Sequence, residues 1–181
     1  MEMGLLITEP NAFQRLFEDF RHAAFKLEVR RSYGLPSEDE PFQTFLAGGD
    51  PGIEWLRSWL DLMQAETSKG KRVERVRVID EPPSDYLRFE ISVTPHNLAV
   101  GEDIRYLERD RAAELTLPQY DFWLFDSQVV AFLHFTDDDR FMGFSTTDDP
   151  AEVLKHCQWR DAAWTRAARF SELPATVTAA G

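Results

Sequence analysis

Apolar residues recur along this chain at two spacings, and the switches between them outline the secondary structure. Phe13, Leu16, Phe17 and Phe20 fall at i, i+3, i+4 and i+7, which predicts a helix from about Pro10 to His22. Phe25, Leu27 and Val29 then alternate with polar positions, the signature of a strand over 24–30. Ser37 with Glu40 forms a capping-box pattern ahead of a short helix carrying Phe42, Phe45 and Leu46, which Gly48-Gly49 ends. Asp50-Pro51 reads as N-cap and first residue of the next helix, whose stripe is Trp55, Leu56, Trp59, Leu60 and Met63.

The second half continues in the same way. Val73 to Ile79 predicts a strand with Arg75 and Arg77 on one face. Leu87, Phe89, Ile91 and Val93 alternate as in a strand, yet Ser84-Asp85 after two prolines opens like a helix and Gly101 closes one. The helix is preferred, because it joins the strand at Val76 to one at 104–107 as a βαβ unit, with Pro95 as its weak point. Strands follow at 120–125, 129–135 and 141–146, with Asp137-Asp138-Asp139 as a solvated hairpin tip. Asp148-Asp149-Pro150 caps a last helix from Ala151 to about Phe170, striped by Val153, Leu154, Cys157, Trp164 and Ala168. The pattern predicts one α/β domain over 1–170, a mixed sheet of five or six strands with helices on both faces, and a flexible tail over 171–181.

Composition adds constraints. The chain is 43% hydrophobic and 13% aromatic, enough to build a core without disulfides or structural metals. Cys157 is the one cysteine, so neither a disulfide framework nor a thiolate zinc cluster can form, and a reducing, cytoplasmic compartment is expected. The N-terminus has no basic segment followed by a long apolar run, and no stretch approaches the roughly 20 apolar residues of a membrane helix. The net charge of −12 repels nucleic acid and anionic membranes at long range, so no direct nucleic-acid binding and no membrane contact are expected.

The catalytic inventory is thin. His22, His96, His134 and His156 show no metal-ligand spacing, and no cofactor or metal is expected. Cys157 lies within an apolar stripe, where a thiol packs as a small hydrophobe. Arg75 and Arg77, with Arg88 and Arg105 in neighbouring segments, form the candidate set for a small anionic ligand. Ion pairing of these arginines with Glu74, Glu90, Glu102 and Asp103 is the favoured reading in so acidic a chain. Asp161 follows Cys157 by four and falls on the expected stripe, where its carboxylate would take an arginine of the sheet as partner, in a structural pair or in a site.

The segments AFKLEVRRSYGLP (24–36), RVERVRVIDEPPSDYLRFE (72–90), GEDIRYLERDRAAEL (101–115), LPQYDFWLFD (117–126) and HCQWRDAAW (156–164) resemble an uncharacterised, mostly actinobacterial family, domain of unknown function 6879. The resemblance covers nearly the whole chain. It implies a regulatory or accessory role beside helix-turn-helix regulators, and no assigned reaction. More distantly, the order of elements around LPQYDFWLFDSQVVA resembles one phospholipase-D-type domain, whose His-x-Lys-x4-Asp pattern would end here at Asp126. Gln119 then stands at the nucleophile position and Asp121 at the lysine position, which implies a version without catalysis, and Asp126 joins Asp161 among the candidate ligand-binding residues.

A non-enzymatic regulatory or small-ligand-binding protein is therefore the leading expectation. The alternatives are an enzyme acting on a phosphorylated or nucleotide-like small molecule through the arginines, and an interaction module using exposed Trp55, Trp59 and Trp159, in a homodimer or with a regulator.

Overall fold

A computed structural model describes residues 5–9, 11–174 and 177. In chain order the elements are α1 (Ala12–Asp19), β1 (Ala23–Glu28), α2 (Asp39–Leu46), α3 (Arg57–Thr67), β2 (Arg72–Ile79), α4 (Asp85–Ala99), β3 (Glu102–Glu108), α5 (Arg109–Glu114), β4 (Phe122–Phe125), β5 (Val129–Phe135), β6 (Phe141–Thr147), α6 (Pro150–Arg166) and β7 (Ala168–Arg169). Short 3-10 turns at Pro36–Glu38 and Glu54–Leu56 lead into α2 and α3, and a third at Phe170–Glu172 follows β7. Among the described residues no helix is long and apolar enough to cross a membrane.

The strands form one mixed sheet in the order β6-β5-β4-β1-β2-β3-β7. β1, β2 and β3 run parallel, and the remaining neighbours pair antiparallel. The sequence leads to six of these strands. The seventh, β7, is two residues long, too short to carry a periodicity. The ambiguous segment 87–93 is helical. Ser84 caps α4 by accepting the Leu87 N–H, and Pro95 sits inside the helix at an exposed position. α4 bridges β2 and β3, the parallel crossover that its flanking strands require.

Helices cover both faces of the sheet. On one face Phe25, Leu27, Val76, Val78, Leu107, Phe122 and Leu124 pack with Val153 and Ala163 of α6. On the other, Ala24, Val73, Trp123 and Phe125 meet Phe17 of α1 and Met63 of α3, while Ile104 and Tyr106 meet Leu87 and Ile91 of α4. Phe17 lies edge-on to Trp59, Trp123 and Phe125 at ring separations of 5.1, 4.8 and 5.3 Å. Of the tail expected over 171–181, residues 171–174 and 177 fall within the described part, with Leu173 and Val177 packed beside Phe170.

Several local expectations are corrected. Neither 3-10 turn nor helix near Ser37 uses a side-chain cap, so the capping box does not form. Asp50 accepts the Gly52 N–H in a tight turn, which moves the next helical segment down to Glu54. At the tip 137–139, Asp137 and Asp138 are exposed as expected, but Asp139 is tied down, accepting from Arg30 and Ser32 while its carbonyl takes the Gly34 N–H at 2.9 Å. The buried side of α6 is set by Val153, His156 and Ala163, so Leu154 is exposed and Asp161 is turned to solvent. His156 fills the stripe because its ring packs edge-on to Phe122 at 4.6 Å. Its Nδ1 bonds the Glu152 carbonyl and its Nε2 the Tyr120 hydroxyl.

Asp126 has a structural task. Asp126 and Ser127 both have positive φ, 51° and 55°, in the three-residue turn 126–128 between the paired Phe125 and Val129, where the Gln128 N–H bonds the Phe125 carbonyl. The Asp126 carboxylate accepts the N–H groups of Arg21, His22 and Ala23 at 2.7, 2.7 and 2.9 Å, fixing the entry into β1. Burial opposes its charge, but these donors outweigh it and hold the group below the usual carboxylate range. Asp126→Ala strands three donors, and urea denaturation is expected to show a loss of about 1–3 kcal/mol, with Asp126→Asn recovering part of it.

Candidate ligand-binding site

Residues two apart on a strand share a face, and the parallel register sets these faces against each other. Lys26 of β1 lies beside Arg75 of β2, and Glu28 beside Arg77. Trp123 of β4 flanks Lys26 on the other side. Four charged side chains thus form a row across the centre of a buried sheet face. Glu28 is 1% exposed, Arg75 8% and Arg77 6%.

Charges so deeply placed demand partners, since unpaired ions are costly to desolvate. Glu28 Oε1 accepts from Lys26 Nζ at 2.9 Å and lies 3.3 Å from Arg75 Nη1, while its Oε2 accepts from Arg77 Nε at 2.6 Å. Arg75 also donates twice to Glu102 Oε1, at 2.9 and 2.6 Å. The other Glu102 oxygen takes Trp59 Nε1 at 3.0 Å and Asn97 Nδ2 at 2.6 Å. Arg77 Nη2 faces Glu90 Oε1 of α4 at 3.0 Å. Glu38 accepts from Tyr86, and Asp121 accepts from Tyr33 and from the Val29 N–H. The guanidinium of Arg75 lies over the Trp59 ring at 4.9 Å, and Lys26 over Tyr33 at 5.2 Å.

Above this row lies a cavity of about 410 Å³. Its floor is Lys26, Glu28, Arg75, Arg77 and Trp123; α4 supplies Glu90 and Asn97, the 3-10 turn before α3 supplies Trp55, and α3 supplies Trp59. Phe135 and Phe141 of the β5–β6 hairpin, with Tyr33 and Glu38, complete the wall. A hollow of about 340 Å³ beside residues 48–53 is walled largely by loop, with Asp50 and His96 as its ionisable groups.

The carboxyls differ in kind. Burial pushes Glu28 up, but Arg77, Lys26 and Arg75 outweigh it and hold it well below its ordinary value. Burial also raises Glu90, to about 7; Arg77 opposes the rise while Glu28 and Glu38 add to it. Glu38 and Asp121 are raised as well, burial again being the main cause.

Of the candidate residues read from the sequence, Arg75 and Arg77 come together at the cavity floor. The other four lie elsewhere. Arg88 is on α4, 3.9 Å from Asp85. Arg105 points to the opposite sheet face, because in the β2–β3 register Ile104, not Arg105, lies beside Arg75; it stacks on Trp164 at 3.6 Å. Asp126 ties the β1 entry. The Asp161 side chain is 69% exposed and accepts from its neighbour Arg160. Trp55 and Trp59 are half-buried in the cavity wall and Trp159 is half-buried on α6, so none is the exposed aromatic expected. Glu90 and Glu102, expected as ion-pair partners of the arginines, do pair with Arg77 and Arg75. The sequence reasoning missed Lys26, Glu28, Glu38 and Asn97. A signal existed for two of them: a parallel strand buried on both faces is ordinarily apolar throughout, and Lys26 and Glu28 break that rule.

Because the folded-state pKa of Glu90 lies above that of the unfolded chain, the stability it contributes is complete below about pH 4 and is lost as pH rises through about 7. Thermal or urea unfolding should therefore show stability falling by about 1–1.5 kcal/mol between about pH 6 and about pH 9. Glu90→Gln should flatten that slope.

No curated protein matches the chain. Among solved structures it is similar to TrmBL2, an archaeal chromatin protein described as showing a novel mode of DNA binding, at 11% identity and a TM-score of 0.50. The alignment covers 92% of this chain and 54% of that one, so this chain spans about half the length of its structural neighbour. The neighbour overturns one expectation. A chain of this fold occurs within a DNA-binding protein, so the exclusion of direct nucleic-acid binding, which rested on the net charge of −12, does not stand. Total charge governs long-range repulsion, whereas binding is decided by local surface. A family model for a domain of unknown function, DUF6879, matches residues 11–173, and the chain belongs to that family.

Proposed function

We propose that this chain is a ligand-responsive binding domain whose small-molecule site is the cavity over Glu28, Arg75 and Arg77. The observation that carries this reading is the joining of a paired ionic floor to an aromatic wall around about 410 Å³ of space. That volume falls in the range of roughly 300–1,000 Å³ usual for small-molecule sites. A buried ionic row is a poor way to stabilise a sheet, since well-packed apolar side chains serve as well or better. Its position beneath a cavity therefore supports a role in recognition.

Binding without turnover fits the disposition of the polar groups. Glu28 is saturated by three cations, and Arg75 is shared between two carboxylates. The phospholipase-D-type alignment would assign its missing catalytic pair to Gln119 and Asp121. Asp121 is occupied by the Val29 N–H and the Tyr33 hydroxyl, which supports a domain without that chemistry.

A second reading is direct binding of DNA, and the fold shared with a DNA-binding chromatin protein is what favours it. A labelled duplex titrated at about 50 and about 200 mM salt tests it. Saturable binding that weakens steeply with salt supports this reading, and none up to tens of micromolar protein dismisses it.

For the first reading, a thermal-shift screen of nucleotides, sugars, amines and amino acids is expected to yield a compound that raises Tm. A ligand at about a hundred times its Kd adds about 2.7 kcal/mol. Trp55→Ala removes wall area and should weaken such a compound about tenfold or more while leaving the free protein folded, because Trp55 stacks on Phe89 at the edge of the cavity. Failure of every compound class to shift Tm or quench tryptophan fluorescence would count against the cavity as a receptor site.

A further inference from the structure

The cavity is lined by three cations, Lys26, Arg75 and Arg77, and three carboxyls, Glu28, Glu38 and Glu90. Glu102 and Asp121, bonded behind the lining, bring the connected set to five carboxyls against the same three cations. Glu28 and Glu102 take most of the donors. Glu90 receives only the far side of an arginine whose Nε already serves Glu28. Glu38 has the Tyr86 hydroxyl, and among the described residues no cation forms an ion pair with it. Glu38 and Glu90 both line the cavity, and so do the rings of Tyr33, Trp55, Trp59, Phe135 and Phe141.

Resting on the receptor reading above, we infer that the ligand of this cavity is an organic cation, an ammonium or amidinium group carried on an apolar body, seated with its charge between Glu38 and Glu90. The carboxyl surplus supplies the counter-charge, and the rings supply both apolar contact and quadrupoles that attract a cation. A neutral ligand would leave the surplus as it is. An anion would have to approach Glu28, Glu38 and Glu90 while every resident cation is already paired.

The surplus also links binding to protons. Glu90 faces Arg77 of β2, Glu28 and Lys26 of β1, Tyr33 of the loop after β1, Glu38 of the 3-10 turn, Tyr86 on its own helix and Tyr106 of β3. Burial and the neighbouring carboxylates leave Glu90 largely protonated below neutrality, and the same causes raise Glu38. An arriving cation expels that proton, so its affinity increases as pH rises toward and past 7.

Calorimetric titration of the full chain with three compounds of one shape, 2-phenylethylamine, 2-phenylethanol and 3-phenylpropionate, tests this at about pH 6 and about pH 8. The amine is expected to bind at least about tenfold more tightly than the alcohol, to bind about tenfold more tightly at the higher pH, and to release protons in buffers of differing ionisation heat. Glu90→Gln should abolish the pH dependence, and Glu38→Gln should weaken the amine without affecting the alcohol, which keeps the test available if the more buried variant does not fold. Equal or tighter binding of the alcohol or the carboxylate overturns the cation assignment and leaves the receptor reading standing. So does amine binding that is indifferent to pH. Absence of binding by all three, together with a silent thermal-shift screen, overturns both.

Discussion

Glu28 organises one whole side of this molecule. A carboxylate in the middle of a mixed sheet, under helices, can exist as an ion only if cations reach it. Lys26, Arg75 and Arg77 do so from its own strand and the next. Those cations in turn impose requirements on the layer above. Arg75 must meet Glu102, Glu102 must meet Trp59 and Asn97, and Arg77 must meet Glu90. The positions of α3 and α4 and of the turns before them are thus coupled to the sheet by polar contacts as well as by apolar packing.

The two faces of the sheet therefore solve different problems. Against α6, Phe25 and Leu27 of β1, Val76 and Val78 of β2 and Phe122 and Leu124 of β4 pack into a closed core, sealed by Trp159, Trp164 and a histidine ring. Burial holds that ring's pKa below its ordinary value, in keeping with a packing role. Against α1 to α4, the apolar packing divides into two patches, one around Phe17 and Trp123 and the other around Ile91 and Ile104. The ionic row lies between them, and the cavity opens over it. Polar groups that cannot interdigitate like methyl groups leave space, and here the space is lined by rings.

The cluster is also electrically uneven. Its fully engaged members keep fixed charges, while Glu90, with half a partner, has a pKa brought by burial to about 7. The chain belongs to DUF6879 and shares its fold with part of a DNA-binding chromatin protein. A cavity whose charge depends on protonation is a physical basis for selecting among ligands by their charge.

Most of the secondary structure was legible in the sequence because it depends on local periodicity. The i, i+3, i+4 run of Phe13, Leu16 and Phe17, the alternation at 73–79, and the Asp149-Pro150 start of α6 all identify their elements without tertiary information. Even the alternating segment 87–93 could be assigned to a helix from its cap at Ser84 and from the need for a crossover. Arg75 and Arg77 could be placed on one face for the same reason. What periodicity cannot supply is register and partner. Whether Arg105 joined Arg75 or turned away depended on pairing Arg75 with Ile104. Whether Asp161 was buried depended on which stripe of α6 met the sheet, and His156 and Ala163 decided that. The cavity joins β1, β2, β4, α4 and two loops from distant parts of the chain, so its carboxyl surplus and the raised pKa of Glu90 exist only once those segments meet. The sequence determined the elements because hydrogen bonding and amphipathicity act over a few residues, and tertiary structure alone determined the site because desolvation and Coulomb interactions depend on distances that only folding sets.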